Sequence, residues 1–178
     1  MNLKQFSLKP LSLKRLTYAT IAISLLGSAI LAQDGRGTAS ATVKGAAIKI
    51  DYGRPSLKGR DMLSQLSDGQ VWRLGMNQAT QIDSSKDLVV AGKPVAAGKY
   101  TLWLKKSGGA WLLCFHPKTG VWGAPPLTEG FIAELPLKSE KVSDSTEQLN
   151  IALADSKGKA AIKIQWGKDV LSGAFDVK

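Results

Sequence analysis

From Val43 to the C-terminus, apolar and polar residues alternate with a period of two. Ile48, Ile50 and Tyr52 alternate with Lys49 and Asp51, Leu149, Ile151 and Leu153 with Gln148, Asn150 and Ala152, and Ile162, Ile164 and Trp166 with Lys163 and Gln165. Successive strand side chains point to opposite faces, so this spacing predicts half-buried strands. In LVVAGKPVAAGKYTLWLKKSGGAWLLCF, Gly92, Gly98 and the Gly108-Gly109 pair divide three apolar runs, which predicts three adjacent antiparallel strands. Residues 79–83, 131–135 and 170–177 add further strands, for eight to ten in all. One stretch breaks the period: in LKGRDMLSQLSDG, Leu63 and Leu66 are three apart, which predicts a single helical turn ended by Gly69. Many short strands between Gly and Pro turns define an all-β chain, an antiparallel β-sandwich or jelly-roll-like domain.

The front of the chain is different. MNLKQFSLKPLSLKR carries Lys4, Lys9, Lys14 and Arg15 and no acid, and the uncharged run LTYATIAISLLGSAILA follows. A basic start and then an apolar run is the order of a secretory signal peptide. The reading is a signal helix over 1–32, cleaved after Ala29 or Ala32, and an exported protein, periplasmic or secreted. An uncleaved anchor is the alternative, since about 17 apolar residues is the lower limit for spanning a bilayer. QDGRGTASAT reads as a flexible leader, 33–42, ahead of one domain over 43–178.

Charge narrows the partners. The whole chain is +10, and without residues 1–32 twenty basic residues face fourteen acidic ones, a net +6. The lysines are scattered singly among strand residues, as expected of a solvated face; the sharper reading is attraction to acidic glycans or phospholipid head groups. With no basic cluster and no array of stacking aromatics, nucleic acid is not expected as a partner. Contact with the membrane is expected only through the signal segment.

Catalytic patterns are sparse. Cys114 is the only cysteine and His116 the only histidine, which leaves no disulfide and no His/Cys zinc set. No nucleophile elbow, phosphate loop or dinucleotide fingerprint is present, and no cofactor is implied. Cys114 and His116, two apart on one strand, share a face and form the one nucleophile–base pair, although a cysteine in WLLCF fits a small buried apolar residue better. Asp51, Asp61, Asp83 and Asp87 are the carboxylates that a hydrolase-like site would draw on.

The arginines are the stronger signal. With Arg15 in the signal and Arg36 in the leader, the folded domain keeps Arg54, Arg60 and Arg73, all within twenty residues, while its other cations are lysines. Arginine holds carboxylate or phosphate in a two-pronged bond. In GQVWRLGMNQAT, Trp72 adds a stacking face, and Arg73, Asn77 and Thr80 add polar groups. Strand alternation turns Trp72 and Leu74 to one side and Val71 and Arg73 to the other. The candidate ligand-binding set is Arg54, Arg60, Trp72, Arg73, Asn77, Thr80 and Trp122. The competing reading is that these arginines clamp loop carbonyls and carboxylates.

IDYGRPSLKGR, VWRLGMNQAT, SKDLVVAGKPVAAGKYTLW and HPKTGVWG together resemble the exported bacterial proteins grouped as domain of unknown function 2911. The resemblance runs over residues 46–170 and implies an exported all-β domain with no assigned activity. Its motif positions fall on Tyr52, Arg54, Pro55, Lys58, Gly59, Arg60, Trp72, Arg73, Gly75, Asn77, Ala79, Thr80, Gly98, Tyr100, Trp122 and Gly123. Two positions depart from it: SDGQ stands where a Pro-Tyr pair is usual, and His116 where Asn is usual, which argues against a catalytic His116. The expected function is a non-catalytic binding module for an anionic small molecule, glycan or envelope partner. A hydrolase-like enzyme and a purely structural envelope module are the alternatives.

Overall fold

Every alternating run is a strand in the computed structural model, which describes residues 35–61 and 63–178. The strands are β1 (Arg36–Val43), β2 (Ala46–Gly53), β3 (Val71–Trp72), β4 (Thr80–Ser84), β5 (Leu88–Val90), β6 (Lys93–Val95), β7 (Gly98–Ser107), β8 (Ala110–His116), β9 (Ala133–Ser156) and β10 (Lys159–Val177). All pair antiparallel in one sheet of order β1-β2-β4-β7-β8-β9-β10-β5-β6, with β3 beside β7 in line with β4. The all-β antiparallel fold class is therefore as the sequence indicates. The signal segment and its cleavage points lie outside the described residues.

Long β9 and β10 roll this sheet on itself. Residues Ala133–Leu137 of β9 pair with β8, whereas its remainder pairs with β10. Within the β9–β10 ladder the register slips: Lys141–Thr146 of β9 lies opposite only Gly167–Asp169 of β10. Such an excess bends a strand and strengthens its twist, and it brings the far half of β9 back beside β1. The seam there is closed by side chains and loop backbone. The Tyr52 hydroxyl accepts the Ile151 N–H at 3.0 Å, Arg54 Nε donates to the Leu149 carbonyl at 3.4 Å, and the Leu149 and Leu57 amides bond Pro55 and Glu147.

Inside the roll, Ile48, Ile50, Ile82, Leu102, Leu104, Leu113, Leu149, Ile162 and Ile164 are buried, and Phe115 meets Phe175 edge to face at 5.9 Å. Each such side chain contributes roughly 1.5–3 kcal/mol on burial. A second apolar cluster of Ala79, Trp103 and Cys114 lies apart from this core, covered by Val71, Leu112, Val121, Leu127 and Phe131. The segment 117–132, between β8 and β9, thus forms a roof over one patch of the sheet.

Two expectations need correction, the leader and the strand neighbours. Residues 36–42 are not leader but most of β1: Gly37 and Ala39 are buried and Ala41 half-buried, so alternation is present there in side chains too small to register as hydrophobic. Arg36 consequently belongs to the domain, where it pairs with Asp51. The glycine-punctuated stretch forms two hairpins, β5/β6 and β7/β8, but β6 is not beside β7; β5 pairs instead with Asp176 and Val177 at the end of β10. The predicted helical turn is a single bonded turn, with the Leu66 amide on the Leu63 carbonyl at 3.2 Å.

Candidate functional site

The stretch 69–80 serves two surfaces at once. Trp72 turns inward and stacks on Trp166, ring centroids 5.3 Å apart and 9° from parallel, and Leu74 is buried; Val71 turns outward to the second cluster. This is the alternation expected from sequence. Beyond β3 the backbone turns sharply, with φ of 52° at Leu74 and 62° at Asn77, a region that side chains other than glycine rarely adopt. Thr80 secures the turn: it is fully buried, its hydroxyl donates to the Leu74 carbonyl at 2.6 Å and its amide to Arg73 at 3.2 Å. Thr80 is therefore a structural residue and no part of a ligand surface.

Asn77, Gln78 and Ala79 are tied to the roof. The Gly123 amide donates to the Asn77 carbonyl at 3.0 Å, the Ala79 amide to Val121 at 3.2 Å, and Gln78 pairs with Trp122. The Arg73 stem lies directly on Gly123, where any Cβ would collide with it, and Arg73 Nη1 donates to the Asn77 carbonyl at 3.4 Å. Next to it Trp122 is 60% exposed, although its backbone is held on both sides. The Arg73 stem and the Asn77 main chain thus meet the roof at Gly123, next in sequence to Trp122.

Arg54 and Arg60 do not join them. Arg54 lies in the seam, in a cavity with Tyr52, Asn150 and Ile151. Arg60 lies at the β9–β10 bend, in a cavity with Trp166, Lys141 and Lys168 that the sequence reading did not single out. Arg60 Nε donates to the Leu57 carbonyl at 3.2 Å. All three arginines therefore donate to main-chain carbonyls, as the clamp reading has it. At the bend Lys141 bonds Asp169 at 2.8 Å, and this bond, together with the charge of Asp169, holds the Lys141 ammonium above its usual range.

The groups considered for catalysis are occupied elsewhere. Burial pushes the Cys114 thiol up to about 12, with the Glu134 charge adding to the rise and Lys105 opposing it. His116 Nδ1 accepts the Lys118 amide at 2.9 Å, and its ring meets Phe131 edge-on. Asp51 pairs with Arg36, Asp83 with Lys99, Asp87 with Lys178 and Asp61 with Lys141, four carboxylates on four separate cations. Among the described residues no three His, Cys, Asp or Glu side chains are placed to hold a metal.

A thiol reagent is expected to label Cys114 slowly in the native protein and rapidly in denaturant. Between pH 9.0 and about 12 the unfolded chain loses the thiol proton that the folded chain keeps. Stability should therefore fall as pH rises through that window, and fall less steeply in Cys114→Ala. Denaturant titrations of both proteins across the window measure the difference.

Fold and site together define an all-β domain, rolled from one antiparallel sheet, that carries an exposed tryptophan on a segment bonded to the turn after β3. A family model described as protein of unknown function (DUF2911) matches residues 35–174, and the chain belongs to that family. No curated protein and no solved structure matches it.

Proposed function

We propose that this domain is an exported, non-catalytic binding module whose ligand is an acidic glycan, held against Trp122 with Arg73 and Asn77 beside it. The exposure of Trp122 carries the reading. An indole left 60% open on a mobile loop would say little, but this one stands on backbone bonded at Val121 and Gly123. A rigid, amphipathic aromatic gives up little entropy on covering a ligand, which is why such residues anchor binding surfaces. The apolar face of a sugar ring fits the indole, a carboxylate on the sugar fits the free guanidinium edge of Arg73, and the exposed Asn77 amide serves a hydroxyl.

Titration with a uronic-acid oligosaccharide, read by tryptophan fluorescence, tests this. Trp122→Ala should abolish binding while changing stability by no more than about 0.5 kcal/mol, as is usual for an exposed side chain. Arg73→Ala should retain weak binding but lose the preference for acidic over neutral oligosaccharide. Equal binding by Trp122→Ala would overturn the reading. A purely structural role is the second reading, favoured by the carbonyl bonds of all three arginines.

A further inference from the structure

The cavity at the β9–β10 bend has a volume of about 320 Å³ and lies apart from the roof. Its wall is Trp166, nearly buried, stacked on Trp72 and bonded through its indole N–H to the Glu147 carbonyl at 3.3 Å. Three separate segments contribute to the rim: Arg60 and Asp61 from the loop after β2, Lys141 and Ser145 from the β9 excess, and Lys168 and Asp169 from β10. The loop is pinned to β9, with the Leu57 amide on the Glu147 carbonyl and the Lys58 amide on the Glu147 carboxylate, both at 2.9 Å.

The charges at this rim are unevenly paired. Asp169 and Asp61 lie 2.8 and 4.0 Å from Lys141, Asp61 also accepts the Ser64 amide, and Glu147 is committed to Lys58 N–H. Among the described residues neither Arg60 nor Lys168 has a carboxylate within 4.0 Å. Arg60 spends Nε on the Leu57 carbonyl, which leaves both Nη groups unused. Arg60 and Lys168 are thus the two cations of this lining without a carboxylate partner, and with the Ser145 hydroxyl they stand around an opening walled by an apolar ring.

We propose that this cavity binds a phosphoryl group. The donors come from three segments, and a tetrahedral oxyanion presents oxygens in as many directions, whereas the two coplanar oxygens of a carboxylate are matched by one guanidinium alone.

Titration with inorganic phosphate at constant ionic strength, followed by nuclear magnetic resonance at the Trp166 indole and Gly167 amide, tests the site. A saturable shift is expected that neither chloride nor acetate reproduces. Arg60→Gln and Lys168→Gln should each weaken it about tenfold or more, the low end for one charge-assisted hydrogen bond, with unfolding midpoints near the parent's. Trp122→Ala should leave the response unchanged, which separates this site from the glycan surface. Glycerol phosphate and phosphatidylglycerol vesicles then distinguish a soluble ester from a lipid head group, and binding of either supports the site. An acetate response equal to that of phosphate, or an unchanged response in the double variant, would overturn it.

Discussion

Replacing Trp72 with alanine is expected to lower the unfolding free energy by roughly 3 kcal/mol, the lower end for an aromatic truncated to alanine, because this indole is only partly covered. Two losses combine. The cavity left behind lies at the contact between β3 and the bend, and Trp166 loses the ring on which it stacks at 5.3 Å. Arg73→Ala, one residue away on the opposite face, should cost about 1 kcal/mol or less, since its removal forfeits a long hydrogen bond and the cover of Gly123. Denaturant unfolding of the two variants measures the contrast. Similar costs would mean that Arg73 is as much a part of the packing as Trp72.

Gly53→Ala is the other substitution with a large expected effect. A Cβ at the end of β2 would lie 2.7 Å from the Met76 amide nitrogen and closer still to the Met76 carbonyl oxygen. Both are main-chain atoms, so no rotamer change relieves the clash. Either β2 or the turn at 74–77 must move, and that turn also carries the Thr80 bond and the Asn77 tie to the roof. The cost should be about 3 kcal/mol or more, the upper range for overpacking. Thermal unfolding provides the value, and the exposure of Trp122, read by fluorescence quenching, should change with it. A variant as stable as the parent would show that the β2–turn approach is adaptable.

How much of this was legible from sequence depended on side-chain size. Where the inward residues are Ile, Leu or Trp, as in β2, β9 and β10, the period of two places them on the buried side. In β1 the inward residues are Gly37, Ala39 and Ala41, because the Tyr52 ring passes beside Gly37 on its way to the seam, and the alternation there reads as a polar leader. Strand neighbours were legible only across the shortest turns: the β7/β8 hairpin follows from Gly108-Gly109, but nothing between Val95 and Gly98 announces that the chain leaves one end of the sheet for its middle. Of the site, the inward and outward alternation of Trp72 and Arg73 was readable. The place of Arg60, apart from Arg73, was not, because it lies at the β9 excess at 141–146, and a bulge changes long-range position while leaving local composition ordinary. Lys141 and Lys168 look like any other strand lysines until that bend places them beside Arg60.

The seam between β1 and β9 has a bearing on how many copies of this chain can coexist in solution. An outermost strand normally offers a row of unsatisfied amides and carbonyls to which a neighbouring molecule can add a strand of its own. Here one end of the sheet is turned against β9, with the Tyr52 hydroxyl and the Arg54 guanidinium on the Ile151 and Leu149 main chain. The other end is β6, three residues long, with Lys93 and the amide-less Pro94. The β6 end is therefore too short, and too poor in amides, to serve as a long ladder for a second copy to extend.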